Sequence, residues 1–269
     1  MTAASFAIKK TAKKSLKINF VKSILVSIVV IFCYLINNNI GSVFYLIGGD
    51  ALATAIFLIL NLFMLSPIFF GALRYFWRLL CGVADSPLSV FYYFTSKEKY
   101  KKLLKIVFNL GIRAAIWLLI LHIPYFLVSL ISNVKIYEFL DITAPLWTVN
   151  LSNLNTEIFF RSLAIIGTLV LMLKYYLAPM LFVADENIDV NEALHMSAVV
   201  SKYTLFDFVY LVFSMLGWII LSLLFIPLIY TLPLFVTVYF THCSYAVAEY
   251  NEHIKKINNE NFPTFMAGI

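Results

Sequence analysis

Apolar and polar positions alternate in long blocks along this chain. Six apolar runs are close to the roughly 20 residues that an α-helix needs to cross a hydrocarbon layer about 30 Å thick. They extend over Phe20–Ile36, Ala51–Trp77, Leu104–Leu130, Phe159–Val183, Phe206–Ile226 and Leu232–Ala248. The last two runs meet in the segment FIPLIYTLP, where we expect a tight outer turn framed by Pro227 and Pro233. The pattern predicts an all-α, polytopic membrane bundle of six transmembrane helices.

Amphipathic stretches precede three pairs of apolar runs. Their sequences are IKKTAKKSLKINF, SPLSVFYYFTSKEKYKKLLK and DVNEALHMSAVVSKYTLFDF. Ser86 before Pro87 suits a helix N-cap and first helical position, and Asp189 followed by Glu192 resembles a capping box. We therefore predict interfacial amphipathic helices on the cytoplasmic face, each followed by a hairpin of two spans.

The three predicted hairpins end in similar tripeptides. Val83–Asp85 and Val183–Asp185 are both VAD, and Val247–Glu249 is VAE. Three units in one orientation would form a parallel repeat, an arrangement known among membrane transporters. The alternative is coincidence, because the tripeptide is short and amphipathic helices beside spans are common in polytopic proteins.

Composition supports a membrane location. Of 269 residues, 62% are hydrophobic and 13% are charged, and the mean hydropathy is +0.90, whereas about a quarter of a soluble domain is charged. The net charge of +6 comes from basic residues beside the spans, where they meet anionic lipid head groups and not nucleic acid. We predict one integral membrane domain over residues 1–269, with a basic cytoplasmic segment (1–19), six spans (20–248) and a cytoplasmic tail (249–269).

The distribution of basic residues predicts the orientation. Five lysines precede the first run: Lys9, Lys10, Lys13, Lys14 and Lys17. No small-residue cleavage site follows in CYLINNNIGS, so we expect a retained helix and not a signal peptide. Seven basic residues lie between the last turn of the second run and the first turn of the third, namely Arg74, Arg78, Lys97, Lys99, Lys101, Lys102 and Lys105, whereas Lys135 and Arg161 are those on the opposite side. The positive-inside rule therefore places both termini in the cytoplasm.

The long outer connection, VKIYEFLDITAPLWTVNLSNLNTEIFF, mixes aromatic and polar residues. Tyr137, Phe139, Leu146 and Trp147 are typical of a segment that lies at the membrane interface or caps the bundle. A surface for docking a partner is the alternative.

The chain resembles an uncharacterised family of bacterial integral membrane proteins, catalogued as domain of unknown function 975. The resemblance covers nearly the whole chain and is strongest from about Leu173 onward. It rests on a tyrosine-rich span that ends in an acidic residue, an EA…S helix, an SFxGW-like span and a proline-aromatic start to the last span. The matching positions are Tyr175, Tyr176, Asp185, Glu192, Ala193, Ser197, Ser214, Gly217, Trp218, Pro233 and Phe235.

Two features of the chain differ from that family. The family's glycine-rich turn before the last span is FIPLIYTLP here, and its basic KG feature is reduced to Ser201 and Lys202. The resemblance implies the membrane fold and the bacterial cytoplasmic membrane, and it implies no substrate or catalytic residue.

Motifs for membrane enzymes are absent from the sequence. It contains no H-E-x-x-H, no G-x-S-x-G, no pair of intramembrane aspartates and no glycine-rich phosphate loop. Glu192 and His195 form a single E-x-x-H on a predicted surface helix, where we expect a cap and a solvated histidine. His122 and His242 are expected to be hydrogen-bonded packing residues, and Cys33, Cys81 and Cys243 small core residues. We predict no enzyme activity, no cofactor and no metal site.

Two basic residues lie inside apolar runs. Lys174 is about 13 Å from the inner end of the fourth run, and Arg113 is similarly placed in the third run with Asn109 one turn earlier. No carboxylate is expected at their depth, and an intramembrane cation costs about 2.5 to 3.5 kcal/mol on the insertion scale. We therefore predict a ligand-binding locus formed by Asn109, Arg113, Lys174 and Tyr175.

Three interpretations of this locus remain open. The cations bind helix carbonyls freed at Pro124 or Pro179 and nearby amides and hydroxyls, or they hold a lipid head group or small anion in a water-filled cavity, or another membrane subunit covers them. The leading functional prediction is a non-enzymatic interaction or assembly component. It would contact the lipid bilayer, anionic head groups on the cytoplasmic face, and a membrane protein partner or a second copy of itself. A transporter or lipid- and anion-binding protein is the alternative.

Overall fold

The computed structural model describes residues 2–83, 85–133 and 154–258, and over these residues it contains helices and no strand. The α-helices of this part are α1 (Thr2–Ile18), α2 (Phe20–Leu60), α3 (Ser66–Leu80), α4 (Lys97–Asn133), α5 (Leu154–Met172), α6 (Ala178–Ala184), α7 (Val190–Phe213), α8 (Leu216–Ser222) and α9 (Phe225–Asn258). Between them lie a π-helical turn (Asn61–Leu65) and two 3-10 helices (Pro87–Phe94 and Leu173–Tyr175). The predicted all-α architecture is confirmed. Most of the predicted outer interfacial segment, up to residue 153, lies outside the described residues.

Six helical segments are long and apolar enough to cross a membrane, which confirms the predicted number. They are Phe20–Tyr45, Gly49–Leu80, Lys97–Leu127, Ile158–Ala184, Val190–Phe213 and Pro227–Ile254. A bend at Gly49, where φ is 71°, separates the first two segments within α2. The protein is a multi-pass membrane protein.

The fifth span and the turn after it differ from the prediction. We expected an amphipathic helix and then a span over Phe206–Ile226, but α7 runs without interruption from Val190 to Phe213 because this segment contains no glycine or proline. The chain then turns at Leu223 and Leu224, before the predicted proline-framed turn. Pro227 and Pro233 both lie within α9, and a proline in the first helical turn costs no hydrogen bond.

The three similar tripeptides do not occupy equivalent places. The first follows the end of α3 at Leu80, and the second consists of the last two residues of α6 and its C-cap Asp185. The third, Val247–Glu249, lies within the continuous helix α9 and ends no hairpin. The tripeptide therefore does not mark a helix end in all three predicted units, and the threefold repetition stays a prediction.

The chain divides into two compact units, which are described separately. The first contains Met1–Val107 and Lys174–Ile269, and the second contains Phe108–Leu173. In the second unit, the Leu121 side chain lies 2.8 Å from the point where a Cβ on Gly167 would be, so α4 and α5 pack closely there.

The core of the first unit is built around α3. A Cβ on Gly71 would lie 1.9 Å from the Val90 carbonyl oxygen, so the lack of a side chain lets the 3-10 helix Pro87–Phe94 contact α3. Ser86 caps that 3-10 helix by accepting a hydrogen bond from the Leu88 N–H at 3.3 Å, as predicted for an N-cap.

Helix α1 docks against the spans of the first unit through one face. Ile8, Ala12 and Leu16 are buried, and α1 packs chiefly on α9. The Nζ atom of Lys9 donates to the Ser214 carbonyl oxygen at 3.2 Å, at the C-terminal end of α7. A lysine there satisfies a helix carbonyl that has no partner within the helix.

Candidate functional site

The four predicted site residues lie in different units. Asn109 and Arg113 lie in the part of α4 that belongs to the second unit. Lys174 and Tyr175 lie in the 3-10 helix Leu173–Tyr175 and belong to the first unit. Each of the four has at least one interaction partner, and the Lys174 ammonium lies 5.0 Å from the centre of the Tyr175 ring. That the four line one cavity stays a prediction.

The fourth span is broken beside Lys174. Helix α5 ends at Met172 and α6 begins at Ala178, with Pro179 at its second position. Ser197 of α7 bridges the break: its hydroxyl donates to the Lys174 carbonyl oxygen at 3.2 Å and accepts from the Leu177 N–H at 3.1 Å. Backbone groups at membrane depth must be satisfied in this way, because lipid offers them no partner.

A buried polar cluster continues from the break towards α9. The Tyr176 hydroxyl lies 2.8 Å from Thr204 Oγ1 and 3.3 Å from His242 Nε2, and the Tyr176 ring stacks on Phe208 with centres 4.3 Å apart. The Tyr239 hydroxyl donates to the Tyr176 carbonyl oxygen at 2.5 Å. His242 is 2% exposed, which confirms the prediction of a hydrogen-bonded packing residue.

A cavity of about 250 Å³ adjoins this cluster, between α1, α7 and α9. We call it the polar cavity and define it by the residues Ser5, Thr204, Asp207, His242, Tyr245 and Glu249. It holds two carboxylates and no lysine or arginine. The sequence pattern gives no sign of this cavity, since Ser5 and Glu249 are separated by nearly the whole chain.

Arg74 forms a second polar cluster on the first unit. Its Nη2 and Nε atoms donate to Glu186 Oε1 at 2.9 Å and 3.2 Å, and its Nη1 lies 3.6 Å from Asp85 Oδ2. The guanidinium stacks 3.6 Å from the centre of the Tyr92 ring, whose hydroxyl donates to Glu186 Oε2 at 2.7 Å. Arg78 Nε lies 3.1 Å from Asp85 Oδ2. We call these five residues the Arg74 cluster.

The end of α3 shows how the sequence builds the Arg74 cluster. Gly82 adopts φ of 78°, a left-handed conformation that glycine adopts without strain. The Val83 N–H then donates to the Arg78 carbonyl oxygen at 2.9 Å, in a Schellman-type helix end. The chain reverses, and Asp85 reaches the two arginines of α3.

Lysines of α4 surround the same cluster. Lys99 Nζ lies 3.9 Å from the centre of the Tyr92 ring, and Lys102 donates to the Glu186 carbonyl oxygen. Lys105 Nζ pairs with Asp189 Oδ1 at 2.9 Å, and Asp189 also caps α7 as predicted.

Burial alone raises the pKa of the Glu186 carboxyl, but the hydrogen bonds from Tyr92 and Arg74 outweigh it, and this pKa lies below its usual value. Both acids of the Arg74 cluster, Asp85 and Glu186, have a cationic partner, so the cluster links elements of the first unit.

Three further residues that the sequence singled out, His122, Glu192 and His195, contribute to neither cluster. His122 Nδ1 lies 2.8 Å from the Leu118 carbonyl oxygen within α4, and Glu192 and His195 are exposed on α7. Cys33, Cys81 and Cys243 are free thiols. Among the described residues, no three histidine, cysteine or acidic side chains are grouped so as to hold a metal ion.

The chain matches no protein-family profile, no curated protein and no solved structure. The resemblance to domain of unknown function 975 therefore stays a prediction.

Proposed function

We propose that this protein is a non-enzymatic interaction component of the bacterial cytoplasmic membrane that binds anionic lipid head groups through α1. The observation that carries the proposal is the charge of α1, which contains five lysines and no acidic residue. One face of α1 is buried against α9, while Lys10, Lys13, Lys14 and Lys17 are exposed.

Lipid head groups fit this surface for two physical reasons. Each lysine near an anionic membrane surface contributes about 1 kcal/mol of attraction. Phe6 and Ile18, near the two ends of α1, are 69% and 74% exposed, and apolar side chains on a basic helix add binding at the boundary of head groups and acyl chains. Burial, aided by the charge of Lys13, lowers the pKa of Lys9, which sets this residue apart from the exposed lysines.

The test compares lipid retention by two variants of the full chain in nanodiscs that contain phosphatidylglycerol. The first variant changes Lys10, Lys13, Lys14 and Lys17 to Gln. The control changes Lys22, Lys97, Lys101 and Lys202, which are exposed outside α1, to Gln. We expect the first variant to lower the preference for phosphatidylglycerol over phosphatidylcholine by about tenfold or more, and the control to change it little. Equal loss in both variants contradicts the proposal.

Assembly with a protein partner or a second copy belongs to the same proposal. Extraction from native membranes in mild detergent should then yield a complex larger than one chain. A monomer that carries neither protein partner nor anionic lipid would contradict it.

Transport or binding of an anion is a second candidate, favoured by the break in the fourth span beside Lys174. Broken transmembrane helices form the ion and substrate sites of several transporter folds. Titration of the full chain with inorganic phosphate tests it: Lys174→Leu should lower phosphate affinity at least tenfold, whereas Lys101→Leu, at an exposed lysine of α4, should not. The absence of saturable phosphate binding by the unchanged protein would count against this candidate.

A further inference from the structure

The polar cavity combines features that a packing defect does not have. Its volume of about 250 Å³ is well above the roughly 10 to 15 Å³ that one water molecule needs. Its lining comes from three helices that are distant in sequence, since Ser5 is in α1, Asp207 in α7 and Glu249 in α9. Polar cavities with ionisable residues among apolar helices mark ligand or ion pathways in membrane proteins.

The charge of the cavity selects a cation. Asp207 and Glu249 both line it, and neither carboxylate forms an ion pair or hydrogen bond with another described residue. No basic side chain except the imidazole of His242 lines it. Two carboxylates without a partner among the described residues, one half-buried (Asp207) and one exposed (Glu249), attract a positive ligand and repel an anion.

A buried hydroxyl points to a ligand independently of the acids. Ser5 is 7% exposed and lines the cavity, yet its hydroxyl makes no hydrogen bond to a described residue. A hydroxyl that faces a cavity can accept a hydrogen bond from an N–H donor bound there. Thr204 and His242 on the far wall are already bonded to Tyr176, so Ser5 is the available acceptor.

The lining also distinguishes between kinds of cation. A metal ion is disfavoured, because the described residues contain no group of three histidine, cysteine or acidic side chains that could hold one. The lining also includes Tyr210, Tyr245 and the apolar side chains of Ile8 and Leu211. Aromatic faces attract ammonium groups and apolar walls accept alkyl groups. We propose that the polar cavity binds a small organic cation of the alkylammonium class, held by Asp207 and Glu249 with Ser5 as hydrogen-bond acceptor.

Calorimetric titration of the full chain in detergent with ethylammonium tests the assignment. We expect saturable binding, lowered at least tenfold by Asp207→Asn and by Glu249→Gln, and a few-fold by Ser5→Ala. Glu252→Gln is the matched control, because it removes the same charge from α9 at a residue that does not line the cavity. Its affinity should equal that of the unchanged protein.

Three results would overturn the assignment. They are the absence of saturable ethylammonium binding, an affinity that Asp207→Asn leaves unchanged, and equal competition by sodium ions, which would make the site one for any monovalent cation. Size-exclusion elution and thermal unfolding of each variant separate lost binding from lost folding. If Asp207→Asn fails to fold, Ser5→Leu, which fills the cavity from α1 without changing charge, should abolish binding. The test does not depend on the lysine face of α1, so failure of the lipid proposal leaves it intact.

Discussion

At the scale of single residues, Arg74 shows how a cation is accommodated among apolar helices. It is 8% exposed, and its charge is balanced by Glu186 and Asp85 while its flat face lies on the Tyr92 ring. Arginine suits such a position because its planar guanidinium group donates hydrogen bonds within its plane and stacks its face on an aromatic ring. The same residue therefore holds together α3, the turn after it and the segment that follows α6.

Removal of the Arg74 charge should destabilise the first unit. Arg74→Leu leaves Glu186 without its cation and Asp85 with Arg78 alone, so we expect a loss of about 2 to 3 kcal/mol of unfolding free energy. Lys105→Gln is the control: its pair with Asp189 is about half exposed on both sides, and exposed pairs contribute little to stability, so we expect a smaller loss. Chemical unfolding in mixed micelles measures both, and equal losses would show that the Arg74 cluster is not structural.

Glu186 should give stability a specific pH dependence. Its folded pKa lies below its usual value, so the ionised form stabilises the fold above about pH 4.3, the unfolded pKa, and this contribution is lost as the pH falls through the folded pKa. Since the side chain is 54% exposed, we expect less than about 1 kcal/mol.

Thermal unfolding between about pH 3 and pH 7 checks this expectation. The gap in melting temperature between the unchanged protein and Glu186→Gln should be largest at neutral pH and close as the pH falls. Glu98→Gln, which removes a carboxylate at an exposed residue of α4, is the control variant. A gap that is independent of pH would mean that shape and not charge makes Glu186 important.

At the scale of elements, polar side chains of neighbouring helices form hydrogen bonds with the backbone where a span is interrupted. The Tyr100 hydroxyl donates to the Phe63 carbonyl oxygen within the π-helical turn at 2.9 Å, and Ser197 bridges the break between α5 and α6. Each interruption therefore depends on a contact between helices, because the helix itself no longer supplies the partner.

Loss of the Ser197 hydroxyl should destabilise the break. Ser197→Ala removes two hydrogen bonds to backbone groups, so we expect a loss of about 1 to 3 kcal/mol of unfolding free energy. Ser201→Ala is matched in size, helix and burial, but the Ser201 hydroxyl donates within its own helix, to the Ala198 carbonyl oxygen. Its loss should be smaller, and the reverse order would refute the bridging role.

The contact between α3 and the 3-10 helix should depend on Gly71. Gly71→Ala places a methyl group 1.9 Å from the Val90 carbonyl oxygen, so one element must move, and we expect a loss of at least about 3 kcal/mol. Gly111→Ala in α4 meets no atom within 4 Å, so we expect no loss or a gain of about 0.5 to 1 kcal/mol. Unfolding in detergent with both variants measures the difference, and a stable Gly71→Ala would contradict the packing.

At the scale of the whole molecule, many large apolar side chains are exposed on the surface of each unit. On α4, Ile112, Leu119 and Phe126 are 56%, 66% and 61% exposed. Exposing such side chains to water is unfavourable in free energy, whereas exposing them to lipid is not. The helices therefore need a bilayer around them.

The positive-inside rule makes a prediction about this molecule as a whole. With both termini in the cytoplasm and six crossings, a reporter that is active only in the cytoplasm should be active when fused to either terminus. In a variant whose native Cys33, Cys81 and Cys243 are replaced by Ser, a cysteine introduced at Lys97 should be labelled by an impermeant thiol reagent in inverted vesicles and not in intact cells. Opposite locations for the two termini would imply an odd number of crossings.

The sequence by itself determined the helical class, the number of spans and the helix caps at Ser86 and Asp189. These properties depend on local hydropathy and on hydrogen bonds between near neighbours. Tertiary structure decided the Arg74 cluster, the Ser197 bridge and the polar cavity, since each joins side chains that are far apart along the chain. It also decided that α7 is one helix, because an amphipathic stretch and an apolar stretch have the same backbone preference. Whether two such stretches form one helix or two depends on the elements that pack against them, and the hydropathy pattern contains no information about that packing.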